Sequence, residues 1–248
     1  MKFKLEICVD SIDSAINAQV AGAHRIELCD NLQEGGTTPS LGMIASVRAN
    51  LSIGLQVIIR PRGGDFLYSD TEFDIMRRDI EICGEAGVEG VVIGILRNDG
   101  SVDTERTSKL VELAQPMNVT FHRAFDLCSD PFRGLQEIIE TGASRLLTSG
   151  QKNIVPEGAA LIKQLVRQAG NRIIGMPGSG LDESNIEEMA KQTGAVEFHL
   201  TGRKTIESSM IFRREGIRMG GIAGMTEYSR KVADPVKIKN IVKILKMI

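Results

Sequence analysis

The sequence predicts one α/β domain over residues 1–248, a TIM barrel (β/α)₈ with an additional C-terminal helix. Three observations carry this. The 248 residues match the usual barrel length of about 250, and a chain of that size buries roughly three quarters of its unfolded surface. A motif recurs in which Gly closes a helical segment and a short apolar run follows: AGAHRIEL (Gly22), AGVEGVVIG (Gly87), TGASRLLTS (Gly142), AGNRIIGM (Gly170) and TGAVEFH (Gly194). Gly accepts the left-handed backbone that ends a helix, and repeated strand–helix alternation implies parallel strands with right-handed crossovers. No linker or compositional break divides the chain, which favours a closed barrel over a doubly wound sheet.

In order, the expected strands are 3–9, 25–29, 55–60, 90–95, 118–122, 145–149, 172–176 and 196–200. The helices between them carry start signals. Thr38 is expected to cap a helix opened by Pro39. Asp130 precedes a first-turn Pro131, and Ser184 with Glu187 has capping-box spacing. Phe73, Met76, Ile80 and Cys83 recur at helical period, so Cys83 reads as core. After Asp234-Pro235 a last helix carries Ile238, Ile241 and Leu245 on one face. The less regular stretch 201–233 is expected to fold over the barrel mouth or support a subunit contact.

Composition excludes several function classes. A formal charge of −2 supplies no basic field for nucleic acid or anionic lipid. Aromatic residues are 4% of the chain and Trp is absent, which disfavours a base-stacking platform. No apolar run is long enough to span a bilayer. MKFKLEICVDS, with charges breaking its apolar run, does not read as a signal peptide. The four widely spaced cysteines read as reduced thiols of a cytoplasmic protein. No dinucleotide, Walker A or zincin motif is present, so no nucleotide or zinc cofactor is expected.

Period-two alternation places Leu5, Ile7 and Val9 on one face of the first strand and Glu6, Cys8 and Asp10 on the other. The second strand repeats this, with Ile26 and Leu28 opposing Arg25, Glu27 and Cys29. If apolar faces meet the helices, the interior holds Glu6, Glu27, Arg60, His122, Glu197 and His199. An ion-pair network of Glu6 and Glu27 with Arg25 and Arg60 is one reading, since buried charges must be paired. Function is the other, because catalytic groups of this fold lie at the carboxyl-terminal strand ends. Four segments stand there: GGTTPS (35–40), RPRGGDF (60–66), FHRAFD (121–126), and MPGSG (176–180) followed by HLTGRK (199–204). Arg60 and Arg62, with Asp65, Arg123 and Asp126 nearby, are candidates to bind a small anionic metabolite. Gly178, Ser179 and Gly180 could offer backbone N–H groups to a phosphate. His122 would transfer a proton and Glu27 would hold or complement it. His24, before the second strand, reads as a surface residue at the opposite end.

EICVDS, RIELC, GGTTPS, IRPRGGDF, TFHRAFD, LTSG and EFH, in this order, resemble the CutC family, named for copper homeostasis. The resemblance runs from about residue 5 to 230 and implies a TIM barrel that forms a homo-oligomer, a dimer or higher. It implies copper as the partner, through Cys8 and Cys29 of the E-x-C-V-D and R-I-E-L-C motifs. Soft thiolates suit Cu(I), two-coordinate binding needs only two sulfurs, and Cys128 could be a third. Three functions stay open at this point: Cu(I) handling, an enzyme acting on an anionic metabolite, and a non-catalytic oligomeric scaffold.

Overall fold

The computed structural model describes residues 3–217, 219 and 226–248. Strands and helices alternate as β1 (Lys4–Val9), α1 (Ile12–Val20), β2 (Arg25–Leu28), α2 (Leu41–Asn50), β3 (Gly54–Ile58), α3 (Asp70–Glu85), β4 (Gly90–Ile93) and α4 (Thr104–Leu113). They continue as β5 (Asn118–Phe121), α5 (Pro131–Glu140), β6 (Arg145–Thr148), α6 (Val155–Ala169), β7 (Ile174–Pro177), α7 (Ile186–Thr193) and β8 (Glu197–Leu200). A hairpin, β9 (Arg203–Glu207) with β10 (Ser229–Ala233), precedes the additional helix α8 (Pro235–Met247). The eight barrel strands are parallel and ordered β7-β6-β5-β4-β3-β2-β1-β8, and a parallel bridge between Gly178 and His199 brings β7 to β8.

The alternation within strands decides what faces where. Leu5, Ile7, Val9, Ile26 and Leu28 are wholly buried, in one apolar cluster with Ala15 and Ala18 of α1 and Ile238 and Ile241 of α8. The opposite face of each strand turns its polar residues into the barrel. Gly22, Gly87, Gly142, Gly170 and Gly194 all adopt positive φ at helix ends, and Asp130 and Asp234 cap α5 and α8 ahead of their prolines.

Two local expectations are corrected. The residue that caps α2 is Ser40, whose side chain accepts from Met43 N–H; the Thr38 hydroxyl accepts from Arg60 N–H instead, at 3.0 Å. Ser184 and Glu187 form no capping box. The Asp182 carboxylate takes both the N–H and the hydroxyl of Ser184, which leaves Asn185 at the N-cap of α7. A full capping box occurs at Ser69 and Glu72, ahead of α3. Over 201–233, the β9–β10 hairpin packs along α1, where Asn17 Nδ2 donates to the Ala233 carbonyl at 3.1 Å and Arg230 pairs with Asp13 at 2.9 Å. Residues 218 and 220–225 of that stretch lie outside the described residues. No helix among the described residues is long and apolar enough to cross a membrane.

Candidate metal centre in the barrel

The lower barrel interior is an ion-pair relay. Arg25 of β2 bonds Glu6 of β1 through its Nε and Glu197 of β8 through Nη2 at 2.6 Å, and Arg145 of β6 meets Glu197 at 2.9 Å. Burial pushes the Glu6 carboxyl up, but Arg25 and His199 outweigh it and hold the group at about 2. Burial likewise opposes ionisation of Glu197, and Arg25 and Arg145 overcome it. The expected network is therefore present in part: Glu6 pairs with Arg25, while Glu197 and Arg145 stand where Glu27 and Arg60 were expected. Among the described residues Glu27 meets no arginine, and the Arg60 guanidinium donates to backbone carbonyls.

Above this relay Cys8 and Cys29 converge. Strand register puts Cys8 level with Glu27 on β2, and the chain beyond β2 keeps the same face inward at Cys29. The two sulfurs lie 3.6 Å apart, and Cys8, Cys29 and Glu27 each offer a ligand atom within 4.8 Å of the others. All three residues are no more than 4% exposed. His199 of β8 closes the group, with Nδ1 2.8 Å from Glu6 Oε1 and Nε2 3.5 Å from Glu27 Oε2. Ile58 and Val92 wall the thiols with apolar surface.

The electrostatics divide the two thiols. The hydrogen bond from Cys29 is the main influence on Cys8, and with His199 it overcomes burial to bring that thiol from 9.0 to about 5. Burial, then the Cys8 thiolate, keeps Cys29 protonated. Glu27 is raised well above the carboxylate range by burial and by Cys8. Burial favours a neutral His199, but Cys8, Glu6 and Glu27 hold it protonated. In the lower interior Cys8, Glu6 and Glu197 face His199, Arg25 and Arg145.

This donor set fits a thiophilic ion. Thiolates select soft metals such as Cu(I). Two sulfurs each about 2.3 Å from a metal stand about 3.8 Å apart at a tetrahedral angle and about 4.6 Å apart in a line. The 3.6 Å separation matches a bent pair with space for a third donor, which Glu27 supplies. Cys128 is not that donor: it packs in a different cluster with Phe125 and Leu135, and burial pushes it up to about 11.

The remaining candidates are placed as follows. Arg60 spans the mouth from β3, with Nη1 donating to the Glu34 and Gly36 carbonyls at 2.8 and 2.7 Å and Nη2 to the Gly64 carbonyl at 2.8 Å. It thereby pins the loop over Cys29. At Gly36, with φ of +92°, a Cβ would stand 3.3 Å from the Cys29 sulfur, so this loop closes on the thiol only with glycine. Arg62 is turned outward onto Glu72, Asp65 and the Leu67 carbonyl. Arg123 bonds Asp126 at 2.7 Å and Ser149 Oγ at 2.7 Å. The Asp126 carboxylate takes the Ser149 and Gln151 N–H groups and the Thr148 hydroxyl, occupying the loop after β6. In the loop after β7, Gly178 N–H donates to the Thr148 carbonyl and Ser179 Oγ to the Asn153 carbonyl, while the Gly180 carbonyl accepts from Asn185. His122 of the β5 end sits under Gly94, where a Cβ would lie 2.4 Å from the imidazole. His24 is half-buried, and its Nδ1 accepts from Leu5 N–H at 3.0 Å. His199 as a member of the thiol site was not singled out from sequence. Its signal was the alternation that put it beside Glu197 inside β8, and only strand closure brings it to Cys8.

The family model of the CutC family matches residues 3–204. A CutC family protein of Chromobacterium violaceum is 52% identical over 235 residues, covering 95% of each chain. The human copper homeostasis protein cutC homolog is 45% identical over 246 residues, covering 99% of this chain and 90% of that one. The crystal structure of a CutC protein from Streptococcus agalactiae aligns with a TM-score of 0.77 at 36% identity, over 80% of this chain and 98% of that one. The barrel also matches phosphoribosylanthranilate isomerase of Thermotoga maritima, with a TM-score of 0.60 at 11% identity, which is a likeness of fold alone.

Proposed function

The chain belongs to the CutC family, and on that premise we propose that it handles copper by holding Cu(I) on Cys8 and Cys29, with Glu27 as a third donor. The observation that carries this reading is the 3.6 Å approach of two buried thiols beside a carboxyl that has no arginine partner among the described residues. Cys8 would bind as a thiolate, and Cys29 would release its proton to solvent as the ion enters, so copper binding would be linked to proton release. His199 would hold the Cys8 sulfur from one side while Glu6 anchors the imidazole. The Gly36 loop, pinned by Arg60, would control access and exclude water.

A cytoplasmic site belongs to the same reading, since reducing conditions keep thiols available and all four cysteines are free. So does a homo-oligomer. Met210, Ile211 and Phe212 stand exposed beyond β9, and sedimentation velocity on the full chain checks whether copies associate. X-ray absorption of the Cu(I)-loaded protein tests the site itself. Two sulfur scatterers and one light scatterer are expected, with the light one lost in Glu27→Leu. Copper surrounded only by nitrogen and oxygen would rule the assignment out.

A further inference from the structure

Two donors in the barrel mouth are buried without acceptors. Arg60 and His122 are each 5% exposed, and neither Arg60 Nε nor His122 Nε2 has a hydrogen-bond partner among the described residues. The tautomer of His122 follows from geometry. Its Nδ1 accepts from Ala124 N–H at 3.1 Å, so the ring proton is on Nε2, and that atom is a donor. Arg60 Nε is a donor by its chemistry, since its two terminal nitrogens already hold the loop carbonyls. Both groups flank Phe66: the guanidinium carbon lies 5.0 Å from that ring's centre, and the His122 ring centre 4.9 Å. The buried Tyr68 hydroxyl makes no close hydrogen bond among the described residues, but it lies near enough to Arg60 for the guanidinium's charge and hydrogen bonding to work against the burial that raises its pKa to about 12. Leaving a buried donor unpaired costs about the full desolvation of that group, and two such donors beside one ring call for oxygen with lone pairs.

We propose that a small oxyanion, a carboxylate or phosphate group, binds in the barrel mouth between Arg60 Nε–H and His122 Nε2–H beside Phe66. Arg60 supplies the charge-assisted bond, His122 a neutral one that fixes orientation, and Phe66 shields both from water. Gly94 makes the site, because any side chain there would displace the imidazole. The site is separate from the thiol pair and does not depend on copper binding there. The two are joined mechanically, since Arg60 also holds Gly36 over Cys29, so an anion on Nε would brace the loop that covers the metal centre.

Histidine-selective nitrogen NMR of the full chain tests this. The sequence has only three histidines, and His122→Phe identifies the relevant signal by its loss. Inorganic phosphate and acetate are titrated separately against sodium chloride at matched ionic strength. A saturable shift of His122 Nε2 with phosphate or acetate is expected, weakened roughly tenfold or more in Arg60→Lys, which keeps the charge and loses the fork. If Arg60→Lys fails to fold, melting in phosphate or acetate replaces that arm: the anion-dependent rise in Tm should vanish in His122→Phe. A His122 response to both anions no larger than to chloride means that the donors hold ordered water only, and overturns the proposal. Equal anion affinity in a folded Arg60→Lys overturns it as well.

Discussion

Cys8 and Cys29 meet diagonally across two adjacent parallel strands: the residue level with Cys8 is Glu27, two positions before Cys29, yet the sulfurs close to 3.6 Å. Strands about 4.8 Å apart with about 3.3 Å per residue put diagonal α-carbons about 8 Å apart. A disulfide reaches only to about 7 Å without backbone movement. The pair is thus close enough to share an ion and too far apart in backbone to join easily. After mild oxidation of the folded protein, peptide mapping should find no Cys8–Cys29 disulfide. Its quantitative formation without loss of fold would contradict this geometry.

Burial, then Cys8, raises Glu27 well above the carboxylate range, and among the described residues His199 is the one cationic side chain beside it. A group whose folded pKa is raised contributes stability below its unfolded value and loses it as pH rises. Removing it should therefore relieve the fold at neutral and alkaline pH. Glu27→Gln is expected to melt at or above the parent temperature while binding Cu(I) more weakly. A large drop in Tm would show instead that Glu27 is a structural residue.

Arg25 links Glu6 and Glu197, and truncating it leaves two buried carboxylates short of their cation. Arg25→Met should cost about 3–5 kcal/mol in urea unfolding. Glu6 adds a pH signature: held at about 2 against 4.5, it contributes stability fully present above 4.5 and lost as pH falls towards 2, worth roughly 3 kcal/mol. Unfolding free energy that is flat from pH 4.5 to 2 would count against the relay.

His122 works in the neighbouring window. Burial, then Arg60, lowers its pKa from 6.5 to about 3, so the unfolded chain binds one more proton than the folded one between those values. Stability should fall with acid by roughly 1.4 kcal/mol per pH unit across that range. His122→Phe should remove that slope. An unchanged slope in the variant would assign it to other groups.

Much of this barrel was legible because its signals are local. Gly22, Gly87, Gly142 and Gly194 mark helix ends whatever surrounds them, and alternation in EICVD and RIELC fixes which face of β1 and β2 turns inward. That is how Cys8, Cys29 and Glu27 could be placed on one side of the sheet from sequence. What could not be read is pairing across the barrel. Arg25 reaches Glu197 of β8 and His199 reaches Glu6 of β1 only because the sheet closes, and no spacing encodes that contact. The same limit hid the division between Arg60 and Arg62. Two residues apart on one loop, one turns into the mouth and the other onto Glu72, according to backbone carbonyls that the sequence does not locate. The Ser184 cap failed for a simpler reason: Asp182 competes for the same N–H.

The most direct measurement is an anaerobic Cu(I) titration of the reduced protein against a chromogenic chelator, beside Cys8→Ser/Cys29→Ser and Cys128→Ser. One tight site is expected in the parent and in Cys128→Ser, and none in the double variant. Equal Cu(I) affinity in the parent and the double variant would contradict the assignment of copper to the Cys8–Cys29 pair.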